Sequence, residues 1–197
     1  MAATRLILAS ASPRRELLLR QIGYTFEVIP SRVDEPSYTG HDPAQYASDL
    51  ASLKASEIAK RHPEALVIGA DTIVVIGEEV LGKPEDGAAA FKMLEKLSNR
   101  NHQVITAYSF QLGSAGIKET YHVLTQVHFK PLHANEIQNY IDSGAPFDKA
   151  GAYGIQDYSS IFVDRIEGCF YNVVGLPVSH LNENLRHLLK LHGLTLN

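Results

Sequence analysis

The chain has 197 residues, 45% of them apolar and 20% charged. That is the composition of a folded domain with a core, and it excludes the low-hydrophobicity, high-charge balance of a disordered chain. Eighteen Lys and Arg against 22 Asp and Glu leave a formal net charge of −4, so no bulk positive field exists to hold a nucleic-acid polymer. No apolar run reaches the roughly 18 residues of a membrane span, and the N-terminus lacks the basic region and cleavage site of a signal peptide. A cytoplasmic protein without a membrane partner is therefore expected, folded as a single domain over 1–197. The one cysteine, Cys169, excludes an internal disulfide and a paired-thiolate zinc site.

The first element is a short apolar strand, Arg5-Leu-Ile-Leu-Ala9, followed by the polar loop Ser10-Ala-Ser12 and a helix that Ser12 and Pro13 start and Gly23 ends. Residues 24–30 alternate like a second strand, and 31–40 form a polar stretch holding Asp34-Glu35-Pro36. Asp42-Pro43 repeats the cap-plus-proline signal and opens a helix to about Arg61, with Ala47, Leu50, Ala51 and Ile58 on its apolar side. Leu66 to Ile76 is long and nearly continuous in apolar residues, as a strand covered on both faces is, and predicts the centre of the sheet. A turn at Gly77-Glu-Glu79 leads to 80–84, and 85–97 is helical with Ala89, Met93 and Leu97 at helical spacing. Residues 102–112 and 121–129 alternate around the Gly-Ser-Ala-Gly turn at 113–116 as an antiparallel hairpin. A helix over 133–143, strands over 161–166 and 171–174, and a closing helix over 177–192 complete the pattern. Mixed helices and strands of this kind predict an α/β domain.

Three placements of charge stand out. An unpaired carboxylate in a buried strand is costly, so Asp71 between Ala70 and Thr72 requires a reason and is the leading catalytic candidate. Ser10, Ser12, Arg14 and Arg15 lie between a strand and a helix start, where free N–H groups, the helix dipole and two guanidiniums favour a phosphate as much as a merely solvated helix end. Lys54 falls on the apolar side of its helix, where it must snorkel outward or meet an anion.

Other segments carry less. Gly77 to Lys83 has the spacing of a phosphate-binding P-loop, but Pro84 stands where a metal-binding hydroxyl is required, so the segment reads as a turn that delivers Lys83. Asp34-Glu35 is the kind of carboxylate pair that binds a hard divalent cation, or simply a solvated loop. The nine histidines show no close ligand pair; His122 and His128 share a strand face and are expected to be exposed. No Gly-x-Ser-x-Gly elbow is present. Asp148 to Gln156 sets glycines and Tyr153 before an amide that can pair with a base edge, or forms a glycine-rich turn.

Ser10-Ala-Ser12-Pro-Arg-Arg15, Asp34-Glu35, Lys54, Gly69-Ala-Asp-Thr72, Gly82-Lys-Pro84, Lys149-Ala-Gly-Ala-Tyr-Gly-Ile-Gln156 and Val174-Gly-Leu-Pro177 together, in this order and spacing, resemble the Maf family of nucleoside triphosphate pyrophosphatases. The resemblance implies a single mixed-sheet α/β domain with flanking helices and a deep nucleotide-binding cleft, a cytoplasmic homodimer, and hydrolysis of a nucleoside triphosphate to monophosphate and pyrophosphate with a divalent metal, Mg²⁺ or Mn²⁺. It implies that Asp71 is the proton acceptor; the mechanism expected on that basis has Glu35 and Asp71 at the metal, Arg14, Arg15, Lys54 and Lys83 clamping the phosphates and Ser10 among the substrate-binding residues, with Asp71, Lys54, Lys83 and Glu35 as the catalytic set. Arg14, Thr72 and Gln156 correspond to positions linked to base choice, and this trio resembles the dTTP/UTP branch more than the 7-methyl-GTP branch. The alternatives are a pyrophosphatase for 7-methyl-GTP or another modified nucleotide, and a nucleotide-sensing regulator of septum formation that binds without turnover.

Overall fold

The computed structural model describes residues 3–197. Strand β1 (Arg5–Leu8), helix α1 (Pro13–Gln21), strand β2 (Glu27–Val28), helix α2 (Pro43–Arg61) and strands β3 (Ala65–Ile76) and β4 (Glu79–Leu81) come first. They are followed by α3 (Gly87–Leu97), β5 (Asn101–Leu112), β6 (Ile117–Phe129), α4 (Ala134–Asp142), β7 (Val163–Glu167), α5 (Phe170–Val174) and α6 (Val178–Leu191). The seven strands make one mixed sheet in the order β2-β1-β3-β5-β6-β7, with β4 paired to β3. The chain divides into two compact units, one of Met1–Asp71, Thr106–His122 and Gly175–Asn197, the other of Thr72–Ile105 and Val123–Val174. Strand β3 passes from the first to the second between Asp71 and Thr72.

In the first unit, β1 lies parallel to both neighbours, with Arg5–Leu8 opposite Ala65–Ile68 and Ile7 and Leu8 opposite Glu27 and Val28. Helix α2 covers this layer through Ala47, Leu50, Ala51, Ala55, Ile58 and Ala59, all buried. Full burial of a side chain such as Ile58 contributes about 1.5–3 kcal/mol. The predicted start is present: the Asp42 carboxylate accepts from Ala44 N at 3.1 Å, and Pro43 takes the first helical position, where no N–H is needed. The small residues of α2 have a second purpose. A Cβ placed on Gly69 would lie 2.6 Å from Ala55 N and closer still to Ala51 O, so the helix backbone rests directly on the strand.

In the second unit, Val74, Ile76, Val104, Val127 and Phe129 pack against Ala90, Leu94 and Leu97 of α3 and Ile137, Tyr140 and Ile141 of α4. Helix α3 begins at Gly87, capped by Asp86 accepting from Ala89 N at 2.7 Å, and buries Ala90, Leu94 and Leu97, with Met93 partly buried against the same core. The β3–β4 hairpin turns through two residues, with Gly77 at φ +61°, the left-handed value such tight turns need.

Two expectations require correction. Residues 171–174 belong to helix α5 and not to a strand. Asn172 is buried there and donates to Val104 O at 2.9 Å and Thr125 Oγ1 at 3.0 Å, while Gly168 at φ +128° and Gly175 at φ +122° bracket the segment. An inward-facing amide tied to two strands overrides the β propensity of Val173-Val174. Ser12 occupies the N-cap of α1, yet its hydroxyl makes no capping bond; the Ser10 hydroxyl accepts from Ser12 N at 3.2 Å instead.

Gly69→Ala tests the close approach of α2 and β3. Because the obstructing atoms are backbone, the variant is expected to lose about 1–3 kcal/mol, the usual cost of overpacking, in urea unfolding monitored by circular dichroism. Unchanged stability would contradict the contact.

Candidate active site

The approach of α2 to β3 at Gly69 sets the site two residues further along the strand. Asp71 faces the same side of β3 as Gly69, and Lys54, between Ala51 and Ala55 on α2, reaches it: Lys54 Nζ donates to Asp71 Oδ1 at 2.6 Å. The same ammonium pairs with Glu35 Oε1 at 2.8 Å. The Asp71 and Lys54 side chains are only 10% and 15% exposed, whereas Glu35 is 49% exposed. Surface ion pairs are worth about 0–1 kcal/mol, but here two of the three charges have lost most of their water, so desolvation dominates.

The consequence is a carboxylate that holds its proton more firmly than usual. Burial pushes the Asp71 pKa up from 3.8; Lys54 and Arg15 pull it back without cancelling the rise, and the Glu35 charge adds to it. A raised pKa makes Asp71 a stronger proton acceptor than a solvated carboxylate, which is what a general base requires. Lys54 keeps the ionised form accessible and fixes its direction.

The first loop supports this centre from behind. Arg15 Nε donates to Gly175 O at 2.9 Å, and its Nη1 donates to Ala70 O at 3.0 Å and to the Ser10 hydroxyl at 3.2 Å. Burial pulls the Arg15 pKa down, Asp71 and Glu35 push it up, and Arg14 pulls it down again, but a guanidinium stays charged in proteins. Arg15 therefore ties the loop to the residue before Asp71 and places a fixed positive charge behind the carboxylate. Ser10 is buried and Arg14 half-buried beside it. Of the residues singled out in the sequence, the structure brings together Ser10, Arg14, Arg15, Glu35, Lys54 and Asp71 in the first unit.

Thr72, Lys83 and Gln156 belong to the second unit. Thr72 follows Asp71 in β3 and is half-buried, Lys83 is exposed after β4, and Gln156 is exposed in a turn. The expectation that His122 and His128 are both exposed holds only for His122. The His128 side chain is 12% exposed, with Nε2 3.1 Å from Glu167 Oε1 on the neighbouring strand β7.

Sequence reasoning missed how the Glu35 loop is held. Tyr46 donates its hydroxyl to Pro36 O at 2.9 Å, and the rings of Tyr38, His41 and Tyr46 cluster with centroids 5.3–5.7 Å apart. This knot pins the residue after Glu35 to the first turn of α2, the helix that carries Lys54. Two tyrosines and a histidine flanking the cap at Asp42 were the available signal.

Two carboxylates that share one cation make a hard-oxygen donor set, suited to Mg²⁺ or Mn²⁺ in chemistry. Among the described residues no group of three or more His, Cys, Asp or Glu side chains is placed to hold a metal by itself. Glu35 and Asp71 would provide two ligands, and a metal there would need oxygens from substrate and water.

The mixed α/β sheet thus carries on β3 a buried carboxylate, Asp71, paired with Lys54 of α2, which also holds the more exposed Glu35 of the preceding loop. The sequence profile described as "Maf-like protein" matches residues 5–188, and the chain belongs to the Maf-like family. A protein of Desulforamulus reducens named "dTTP/UTP pyrophosphatase" is 45% identical over 92% of this chain and 95% of its own length. Proteins of the same name from Symbiobacterium thermophilum and Clostridioides difficile are 48% and 41% identical, over 88% and 95% of this chain and 89% and 96% of their own lengths. The fold is similar to that of a HAM1 protein from Coxiella burnetii, with a TM-score of 0.53 at 17% identity over 93% of this chain and 99% of that one.

The Asp71 environment has a consequence for stability. Since its folded-state pKa lies above the unfolded value of 3.8, the native state binds this proton more tightly. The stabilisation so gained is complete below the unfolded pKa and is lost as pH rises through the folded one. Asp71→Asn stays neutral, so its stability relative to the wild type is expected to increase as pH rises above 3.8 in a series of denaturant melts. A decrease over that range would contradict the raised pKa.

Proposed function

We propose that the chain is a nucleoside triphosphate pyrophosphatase that hydrolyses dTTP and UTP to the monophosphate and pyrophosphate. The observation that carries this reading is the buried Asp71 held by Lys54 beside Glu35, in a chain 41–48% identical to proteins named for that activity. Asp71 accepts a proton from water as its oxygen bonds to the α-phosphorus; the bond to the bridging oxygen of the β-phosphate breaks, and pyrophosphate leaves with the electron pair. Lys54 aims the carboxylate and balances its charge. Arg14, Arg15, Ser10 and Lys83 are assigned to the phosphates, and Arg14, Thr72 and Gln156 to the choice of base.

Glu35 and Asp71 are the residues proposed to hold Mg²⁺ or Mn²⁺, which when bound neutralises phosphate charge and lowers the pKa of coordinated water. A site that hydrogen-bonds the correct base rejects another by leaving buried polar groups unpaired, at about 1–3 kcal/mol each. The remaining parts of the proposal are a cytoplasmic location and a homodimer, supported by the family resemblance. The absence of a nucleic-acid polymer as partner is supported by the net charge of −4.

The test is a panel of dTTP, UTP, CTP, GTP and 7-methyl-GTP with pyrophosphate detection and a metal titration. Highest kcat/KM for dTTP and UTP, loss of release in EDTA, and a fall of about 10²–10⁴-fold in kcat for Asp71→Asn are expected. A preference for 7-methyl-GTP would move the chain to the modified-nucleotide reading. Tight binding with no pyrophosphate from any nucleotide would leave a sensor.

A further inference from the structure

The segment from Lys149 to Asp157 in the second unit is fastened by contacts that the reaction above does not use. Lys149 is the more buried of two sequestered lysines, its side chain 11% exposed against 15% for Lys54. Its Nζ donates to Ala145 O at 2.5 Å and to Asp148 Oδ1 at 2.6 Å, and lies 3.2 Å from Asp157 Oδ2. Asp157 divides its two oxygens: Oδ2 faces Lys149, while Oδ1 accepts from Ser159 N at 3.0 Å and from the Ser159 hydroxyl at 2.5 Å. That hydroxyl also lies 2.9 Å from both N and O of Gly154.

Gly154 shows how tightly the turn is closed. A Cβ there would lie 2.7 Å from Lys149 Cε and 2.9 Å from Asp157 Oδ2, so the lysine stem lies across the Gly154 backbone. Lys149, Asp157, Ser159 and Gly154 thus form a closed set of contacts, and residues 155 and 156 are the turn they enclose. The preceding residues are fixed too. Gly151 N donates to Gly82 O at 3.0 Å, next to Lys83, and Tyr153 OH lies 2.7 Å from Nε2 of the buried His102. Ala152 sits at φ +63°, a left-handed value that costs a residue with a Cβ roughly 1–2 kcal/mol. Strain of this kind persists only where the surroundings over-determine the backbone.

We propose that Lys149 and Asp157 are a positioning pair that fixes Gln156 and through it sets nucleobase discrimination. The proposal rests on the assignment of Gln156 to base choice made under the proposed function. Lys149 acts through the turn and does not touch the reacting phosphates, because its three donors are already directed at Ala145, Asp148 and Asp157. A positive charge is required on a stem thin enough to cross Gly154, which is why a lysine stands here.

Lys149→Met keeps the stem and removes the charge, and Asp157→Asn keeps the Ser159 cap while placing an amide against the ammonium. Two readouts are taken on each: hydrogen exchange of the Gly154 and Ser159 amides, and kcat and KM for dTTP and GTP. Lys149→Met is expected to speed exchange at both amides and to lower the dTTP/GTP ratio of kcat/KM by about tenfold, the scale of one charge-assisted hydrogen bond. The loss should fall in KM for dTTP with kcat kept, and Lys149→Arg should restore part of it. Unchanged exchange, an unchanged ratio, or a loss in kcat at constant KM would overturn the proposal. An active wild type whose ratio is unmoved by Gln156→Ala would overturn it through Gln156. A wild type that releases no pyrophosphate from any nucleotide overturns the substrate reading and the specificity role together, and the exchange rates then decide the Lys149–Asp157 staple alone.

Discussion

Asp71 can sit in the central strand only because Lys54 is delivered to within 2.6 Å of it, and that delivery depends on the absence of a side chain at Gly69. A buried carboxylate and a buried ammonium each lose several kcal/mol of hydration, and their attraction recovers this only when geometry is close and the remaining hydrogen-bonding positions are filled. Ala51 and Ala55 on α2 and Gly69 on β3 give that closeness. With bulkier residues at this crossing the helix would stand further from the strand, and an ammonium at position 54 would end short of the carboxylate.

Incomplete compensation is what makes the centre useful. If Lys54 and Arg15 more than offset the burial of Asp71, its pKa would fall, as in an ordinary salt bridge, and the carboxylate would be a poor base. Burial outweighs them, and Glu35, which shares the ammonium with Asp71, adds its own repulsion to the rise. Arg15, committed to Gly175 O, Ala70 O and Ser10, contributes a charge that cannot drift. Function thus draws on a local conflict that a purely structural core would not retain. The second unit repeats the device with a different outcome. Lys149 is surrounded by oxygens from Ala145, Asp148 and Asp157, and a satisfied lysine of that kind stiffens a turn instead of tuning an acid.

Asp71 and Lys54 were legible in the sequence because each breaks a pattern: an acid inside a continuous apolar strand, a lysine on the apolar side of a helix. The hairpin at 113–116 and the helix opening at Asp42-Pro43 were legible for the opposite reason, since turn and cap chemistry there is local. What escaped depends on contacts distant in sequence. Asn172 turns residues 171–174 into a helix through Val104 and Thr125, and no window around Asn172 contains those partners. The use of Arg15 as a tie to Gly175 and Ala70 spans 160 and 55 residues, so the loop alone suggested only a phosphate clamp.

A carboxyl-carbon NMR titration of Asp71, in the wild type and in Lys54→Met, measures the central interaction most directly. The structure predicts a midpoint above the ordinary aspartate value of about 3.9, and a further rise when the ammonium is removed. A midpoint at or below the ordinary value, or one indifferent to Lys54, would contradict the picture of Asp71 as a desolvated base held open by its lysine.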